Sequence, residues 1–280
     1  GSEMCIRDSR STMLRVANCL LGEDLGDDTL IIGTSGRYEF KNKGIDVFLE
    51  SLNRLNRDKD LKKKVLAFVN VPSWVGDPRE DLQKRLKSKD KFTEPLQCPF
   101  ITHWLHNMTH DQVLDMLKYL GMGNRPEDKV KVIFVPCYQD GHDGILNKHY
   151  YDLILGEDLS VYPSYYEPWG YTPLESVAFR VPTITTDLAG FGLWVNSLKN
   201  QHGINDGVEV LHRSDYNYSE VADGIKDTVA LFSTKTEAEI KEIRKRAGQV
   251  AEQALWKHFI QYYYEAYDIA LRNAMKRQLK

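Results

Sequence analysis

Two glutamates eight positions apart, Glu167 and Glu175, mark the segment whose residue types are best suited to chemistry. Between them stand Gly170 and Thr172, followed by Pro173, and a proline fits the first turn of a helix because its missing N–H would be unpaired there. A glycine turn at a helix N-terminus presents backbone N–H groups at the positive end of the helix dipole, which suits a diphosphate. Glu167 would then precede the helix and Glu175 lie in its first turns. Each carboxylate could accept hydrogen bonds from sugar hydroxyls on either side of the phosphates.

Two cations, Arg37 and Lys43, follow an earlier apolar run. Arginine offers phosphate oxygens a planar fork, and lysine offers a mobile point charge. Taken singly, each cation is more typical of an exposed surface, and Glu175 is equally compatible with an exposed helix face. Together, after a strand of the same predicted sheet, the cations predict an anion clamp opposite the helix N-terminus.

Six short apolar runs alternate with helical stretches and would position these residues. Runs that are apolar throughout and separated by helices predict an α/β fold, a parallel sheet with helices on both faces. Ligands bind such sheets at the carboxyl ends of the strands, which the candidate residues follow. The predicted strands are 29–33, 65–69, 130–135, 159–162, 183–186 and 208–211, and helices are predicted over 45–55 and 172–179.

Three segments depart from this alternation. Residues 73–97 are rich in charge and predict an exposed helical insertion between strands. Residues 252–280 predict a final helix whose aromatic residues recur at helical spacing, which is typical of a packing stripe. Residues 1–9 have no apolar core, so we set them aside as a non-native leader and predict a folded domain over 10–280. The aromatic residues of the stripe are Trp256, Phe259, Tyr263 and Tyr267.

Composition excludes several classes of protein. The chain has 280 residues, 42% hydrophobic and 28% charged, with a net charge of -3. That balance is typical of a globular protein and argues against a nucleic-acid partner. No apolar run reaches the roughly 18 residues of a membrane span, so no membrane partner is expected. Four cysteines without C-x-x-C spacing indicate reduced thiols in a cytoplasmic protein: Cys5, Cys19, Cys98 and Cys137.

Three histidines, His103, His106 and His110, could line one helix face as metal ligands. Surface and capping histidines are common, and the anion chemistry above needs no metal. We therefore expect no metal site.

The two candidate segments resemble those of a known family. Two segments are similar to glycogen synthases of the animal and fungal type: residues 36–44, GRYEFKNKG, and residues 163–173, PSYYEPWGYTP. That family also has bacterial members, and the resemblance implies that this chain is one of them. Residues 185–192 and the context of Asn107 and Met108 resemble that family too. The likeness extends from about Arg10 to the C-terminus.

The resemblance implies a two-lobed GT-B fold of facing Rossmann-like domains, with this chain as the C-terminal lobe. It implies transfer of glucose from UDP-glucose to the 4-hydroxyl at the ends of glycogen or another α-glucan, forming α-1,4 links with retention and without a cofactor. The final helix would cross back to the other lobe, so part of its aromatic stripe should be exposed. Without that lobe the chain should transfer no glucose. Partnership in a homo-oligomer is left open.

The resemblance also assigns roles by position. The catalytic residues would be Arg37 and Lys43, which hold the donor phosphates, and Glu167, which contacts the glucose hydroxyls and is not assigned as a covalent nucleophile. Catalysis would come mainly from charge stabilisation on the leaving diphosphate. The donor-binding residues would be Tyr150, which stacks on the base, Gly170, Tyr171 and Thr172, whose backbone N–H groups bind phosphate, and Glu175, which binds the ribose.

Two alternatives stay open. The first is another GT-B glycosyltransferase that uses a nucleotide sugar to form a different bond. The second is a non-catalytic module that binds sugar nucleotides.

Overall fold

A computed structural model describes residues 3–278 of the chain. Residues 1–2 of the expected leader and residues 279–280 of the expected final helix lie outside the described part. In chain order the elements are α1 (Glu3–Leu21), β1 (Leu30–Ser35), α2 (Ile45–Asn56), β2 (Val65–Asn70), β3 (Val75–Pro78), α3 (Glu80–Lys87), β4 (His103–Leu105), α4 (Gln112–Leu120), β5 (Val130–Val135), α5 (Tyr150–Gly156), β6 (Leu159–Val161), α6 (Tyr171–Ala178), β7 (Thr183–Thr186), α7 (Gly190–Asn196), β8 (Val208–Leu211), α8 (Tyr218–Ser233), α9 (Glu237–Gln253) and α10 (Trp256–Gln278).

The central sheet has six parallel strands in the order β5-β2-β1-β6-β7-β8. All six predicted strands are present, and those over 130–135, 183–186 and 208–211 have the predicted bounds. The predicted α/β class, a Rossmann-like parallel sheet with helices on both faces, is confirmed. The strand order reverses direction between β1 and β6, and in such sheets the crevice at this reversal is where ligands bind.

Alternate residues of each strand face opposite layers of helices, which is why the strands read as continuous apolar runs. Ile32 packs in one core with side chains of α2, α4 and α8. Its neighbour Ile31 packs in a second core with side chains of α1 and α5. A third, smaller core joins α6, α7 and α9 to β8. The sheet edge at the β1–β6 reversal is thus fixed from both sides.

The first helix changes the predicted N-terminal boundary. It begins at Glu3, inside the stretch set aside as a leader, and Ser9 is buried. Helix α1 lies against α5 at Gly156, where an added Cβ would come 3.0 Å from the backbone nitrogen of Arg10. Residues 3–9 therefore continue a helix whose later turns are packed in the core. Their description as a non-native leader stays a prediction.

The insertion at 73–97 is only partly the predicted exposed helix. It contains α3, but also β3, which pairs antiparallel with β4, and Leu82 of α3 is buried. The organising residue is Arg79, whose guanidinium is fully buried and lies 4.4 Å from the centroid of the Trp104 ring. Arg79 donates to three backbone carbonyls between Gln97 and Ile101. One buried arginine thus closes the insertion onto the sheet.

The C-terminal helices differ in their packing. Helix α9 is buried along one side through Ile243, Ala247 and Val250, whereas α10 extends outward. Of the predicted stripe, Phe259 packs its ring against Trp169 and Trp194, each 5.4 Å away between centroids. The other three aromatic residues of the stripe are exposed. The prediction of a packing stripe is therefore wrong for most of α10, and the expectation of partial exposure describes it better. Within residues 3–278, no helix has both the length and the apolar character needed to cross a membrane.

Candidate functional site

A cleft of about 480 Å³ opens at the carboxyl ends of the strands, where β1 and β6 adjoin. Four residues from the segments that the sequence singled out line this cleft. They are Gly36 and Arg37 after β1, Tyr150 at the start of α5, and Thr172 in the first turn of α6. Asn70, at the end of β2, lines the same cleft. Residues far apart in the chain are thus brought to one edge of the sheet.

Lys43 and Glu167 form an ion pair beside this cleft. The Lys43 ammonium lies 2.8 Å from each carboxylate oxygen of Glu167. Their side chains are 11% and 17% exposed, so water reaches the pair only in part. The resemblance assigned Lys43 to the donor phosphates and Glu167 to the sugar. It did not predict that these two residues, 124 positions apart, would contact each other.

Glu167 is held by its backbone as well as by its side chain. Its N–H donates to the Leu188 carbonyl at 3.3 Å, and its own carbonyl accepts from the N–H of Gly190 at 3.1 Å. The Ser164 hydroxyl donates to Oε2 at 3.3 Å. An added Cβ on Gly190 would lie 2.2 Å from the Pro168 carbonyl oxygen, so this close approach requires glycine. The position of the carboxylate is therefore set by the contact between the 163–170 loop and the start of α7.

The loop that carries Lys43 is packed onto the same 163–170 segment. Gly44 has φ of 68°, and an added Cβ would lie 2.0 Å from the Pro163 carbonyl oxygen. The Tyr165 N–H donates to the Asn42 carbonyl at 2.7 Å. Arg213 donates to the Pro163 carbonyl and lies 5.3 Å from the centroid of the Tyr165 ring. Sequence reasoning missed Arg213, because it follows β8 and belongs to neither motif.

Arg37 occupies a different environment. Its side chain is 78% exposed, and its guanidinium lies 3.0 Å from a carboxylate oxygen of Glu39. Gly36, with φ of 140°, turns the chain from β1 toward Arg37. An added Cβ on Gly36 would lie 3.7 Å from Cε of Lys43, so the lysine stem passes directly beside this turn. The two cations therefore flank one glycine, with Arg37 toward solvent and Lys43 toward the protein.

The glycine turn before α6 has the form that the sequence predicts. Gly170 is the residue before the helix and has φ of 109°, a value that L side chains rarely adopt. Helix α6 then starts at Tyr171, and Pro173 lies in its first turn. The first N–H groups of a helix have no partner within the helix. Thr172, in this first turn, lines the cleft.

Tyr150 and Glu175 are linked through a residue that sequence reasoning missed. The Tyr150 hydroxyl is 2.7 Å from the Ser35 hydroxyl, and burial raises the pKa of the phenol, which keeps it protonated. The ring of Tyr151 lies 5.3 Å from that of Tyr150, and its hydroxyl donates to Glu175 at 3.0 Å. Two adjacent tyrosines in a helix start were the available signal for this second aromatic residue.

One group of potential metal ligands lies near the cleft. His103, Cys137 and Asp143 each place one ligand atom within 4.8 Å of the others. Both ring nitrogens of His103 already have hydrogen-bond partners, Thr102 at 2.9 Å and the Asp143 carbonyl at 2.8 Å. Burial raises the pKa of the Cys137 thiol to about 12, whereas metal ligation requires the thiolate. We interpret these three residues as a structural contact between β4 and the loop after β5.

The three histidines considered from the sequence do not form a cluster in residues 3–278. His103 is buried in the contact between β4 and the loop after β5. The ring centroids of His106 and Trp74 lie 4.9 Å apart, and His110 is exposed. The absence of a metal requirement stays a prediction.

Strand order, the glycine turn and the paired cation define the class of this protein, a doubly wound α/β domain with a cleft at the reversal of the sheet. A family model described as glycogen synthase matches residues 21–77 and 77–280. The chain belongs to the glycogen synthase family.

Similar proteins agree with this assignment. The chain is 28% identical over 304 residues to a glycogen [starch] synthase from Neurospora crassa, covering 89% of this chain and 42% of that protein. It is 32% identical over 239 residues to a glycogen [starch] synthase from Caenorhabditis elegans, covering 67% of this chain and 35% of that protein. The chain thus spans less than half the length of these relatives.

A solved structure supports the fold alone. The N-terminal domain of trehalose-6-phosphate phosphatase from Candida albicans matches with a TM-score of 0.53 at 10% identity. The match covers 94% of this chain and 45% of that one.

Proposed function

We propose that the chain is the donor-binding, C-terminal lobe of a retaining GT-B glucosyltransferase. This enzyme would transfer glucose from UDP-glucose to chain ends of glycogen, or of another α-glucan, and form α-1,4 links. The observation that carries the proposal is the meeting of Lys43, Glu167 and the start of α6 at the reversal of the sheet. Membership of the glycogen synthase family supplies the reaction class.

The cations and the helix start would hold the diphosphate. Lys43 and Arg37 flank Gly36, and the N–H groups of Gly170, Tyr171 and Thr172 at the start of α6 would supply the backbone donors. When the bond to glucose breaks, negative charge develops on the leaving diphosphate. Fixed positive groups stabilise such charge most when they are already oriented and partly shielded from water. The Lys43 side chain is only 11% exposed and so meets the second condition, and Arg37 would close over the phosphates from the solvent side.

Glu167 would accept hydrogen bonds from the glucose hydroxyls. Its carboxylate is tied to the same loop that leads into α6, so the sugar site and the phosphate site share one rigid segment. A carboxylate contact of this kind orients the sugar and needs no covalent bond to it. The reaction would proceed on one face of the sugar, with the diphosphate assisting the incoming hydroxyl.

The nucleoside would occupy the remainder of the 480 Å³ cleft. Tyr150 lines it and presents an aromatic wall for the base, with its hydroxyl fixed on Ser35. Glu175 would bind the ribose, and the Tyr151 hydroxyl donates a hydrogen bond to this carboxylate. Neither contact requires a metal or another cofactor.

Isothermal titration of the chain with nucleotides tests the proposal. We expect weak but measurable UDP binding, with ADP and GDP weaker. A preference for ADP or GDP would favour a different glycosyltransferase of the same fold, and the absence of binding by any nucleotide would contradict the proposal. The non-catalytic alternative is tested by joining the chain to the N-terminal lobe of a relative and assaying glucose transfer.

A further inference from the structure

Both cations assigned to the donor phosphates already have a carboxylate partner in this chain. Arg37 contacts Glu39 at 3.0 Å, and Lys43 contacts both oxygens of Glu167 at 2.8 Å. The first pair is largely exposed, so water screens it and it contributes little. The second pair is mostly shielded, and its two contacts use two of the three N–H donors of the ammonium. A diphosphate that needs Lys43 must therefore compete with Glu167.

We propose that Glu167 is an internal competitor for Lys43, and that a nucleoside diphosphate displaces it and thereby frees the carboxylate for the sugar. This inference rests on the proposed function, since it gives one ion pair a part in both donor subsites. When UDP binds alone, it must separate Lys43 from Glu167 but makes no contact with the freed carboxylate. UDP-glucose gains the sugar contact in the same step.

The packing indicates which partner moves. Glu167 is fixed by backbone hydrogen bonds to Leu188 and Gly190 and by the Ser164 hydroxyl. Lys43 has a flexible four-carbon stem that lies beside Gly36, where the absence of a side chain leaves room. The exchange should therefore swing the lysine toward the phosphates and leave the carboxylate in place. Glu167 would then act as a specificity-determining residue that favours donor carrying a sugar over bare nucleotide.

Titration of the full 280-residue chain and its E167Q variant with UDP and with uridine tests the competition. The amide keeps the size of the carboxylate but removes the charge that holds Lys43. We expect E167Q to bind UDP about fivefold more tightly, because the phosphates no longer compete with a carboxylate for Lys43. Uridine carries no phosphate and should bind both chains equally. UDP-glucose should gain less than UDP, because the variant also weakens the sugar contact.

Two further variants make the result specific. E50Q removes the same charge from the Glu50–Arg54 pair on α2 and should leave UDP binding unchanged. In a K43M background, E167Q should no longer tighten UDP binding, because the competed group is gone. An equal gain in both backgrounds would show simple charge repulsion and would overturn the competition. Circular dichroism verifies that each variant folds. If E167Q does not fold, Glu167→Asp takes its place. It keeps the charge but shortens the reach to Lys43, so its gain in UDP affinity should be smaller than that expected for the amide.

Inorganic pyrophosphate separates this inference from the proposed function. If the wild-type chain binds UDP but E167Q binds it equally or more weakly, the competition is wrong and the function stands. If the chain binds pyrophosphate but not UDP, the nucleotide assignment fails. Tighter pyrophosphate binding by E167Q would then still support the competition, and equal or weaker binding would overturn it. Failure of both ligands to bind either chain would overturn both.

Discussion

The cleft at the reversal of the sheet and the helix α10 are opposite cases within one chain. Beside the cleft, Lys43 and Glu167 come from segments 124 positions apart and are fixed by several mutually supporting contacts. Helix α10 extends for 23 residues, and its large side chains, from Trp256 to Met275, are mostly exposed. Phe259 and Ile260 near its start are only partly exposed, and Phe259 packs on two tryptophans.

The difference separates two kinds of sequence signal. Lys43 and Glu167 are charged, yet tertiary contacts determine their positions. Residues of α10 are aromatic and regularly spaced, yet the described part of the chain supplies few contacts for them. An exposed apolar surface of this size commonly marks an interaction site. The residues beside the cleft are thus held by contacts within this chain, whereas the exposed face of α10 is suited to contact with another protein surface.

The largest expected effect concerns glucose transfer. We predict that the chain alone transfers glucose from UDP-glucose to glycogen at least about 10⁵-fold more slowly than an intact glycogen synthase, because orientation of the reacting groups is worth about 7–11 kcal/mol of barrier. An open cleft also leaves its charges screened by water. The measurement is a radiolabelled transfer assay with an intact fungal synthase as control. Turnover comparable to the control would show that the cleft is sufficient for catalysis.

The second prediction tests whether the cleft depends on the contact at Gly44. Gly44→Ala should destabilise the fold by about 3 kcal/mol, because the new Cβ adds a backbone clash to the strain of positive φ. Gly121 is the matched control: its φ is 69° against 68° for Gly44, but an added Cβ meets nothing within 4 Å. Gly121→Ala should therefore cost only about 1 kcal/mol. Urea unfolding measures both, and equal costs would contradict a tight loop contact.

The sequence predicts the sheet better than the contacts around it. Six apolar runs were sufficient to place the strands, since burial on both faces leaves each strand little freedom in composition. The glycine turn at Gly170 was predicted for a similar reason, because few residues tolerate that backbone angle. By contrast, no local pattern could show that Arg79 is buried beneath Trp104 or that Arg213 supports the 163–170 loop. Those interactions depend on which distant segments meet.

The candidate site was predicted in the same uneven way. Its members lie after strands, which the topology of a parallel sheet brings to one edge. Their mutual contacts were not predictable, because a charge in sequence does not identify its partner. The aromatic spacing of α10 predicted a helix correctly, but burial depends on a neighbouring surface that periodicity does not specify.

The third prediction concerns Glu157, a buried carboxyl beneath the cleft. Burial raises its pKa from 4.5 to about 8, and the Ser160 hydroxyl donates to it at 2.6 Å. Between those pH values the folded state keeps a proton that the unfolded state has released. Its contribution to stability is therefore full below about pH 4.5 and is lost as the pH rises through about 8. Glu157→Gln should remove this loss and stabilise the fold at pH 8 by about 4 kcal/mol.

Urea unfolding of both proteins between pH 5 and pH 8 provides the check for Glu157→Gln. The stability difference should grow with pH, and Glu239→Gln, at an exposed helix start, should show no such trend. A difference that does not change with pH would mean that Glu157 titrates normally.

The smallest effects are expected on α10, and they sharpen the contrast with the cleft. Tyr267→Ser should change the free energy of unfolding by less than about 0.5 kcal/mol, because exposed substitutions away from packing rarely do more. Phe259→Ala should cost about 1.5 kcal/mol, since its ring makes edge contacts with Trp169 and Trp194. Both residues belong to the same aromatic spacing, so the pair isolates tertiary contact from helix propensity. Thermal and urea unfolding measure the two variants, with fluorescence of Trp169 and Trp194 reporting on the Phe259 contact. A cost for Tyr267→Ser as large as that for Phe259→Ala would mean that the outer part of α10 packs against this chain in solution, and the distinction between the two regions would fail.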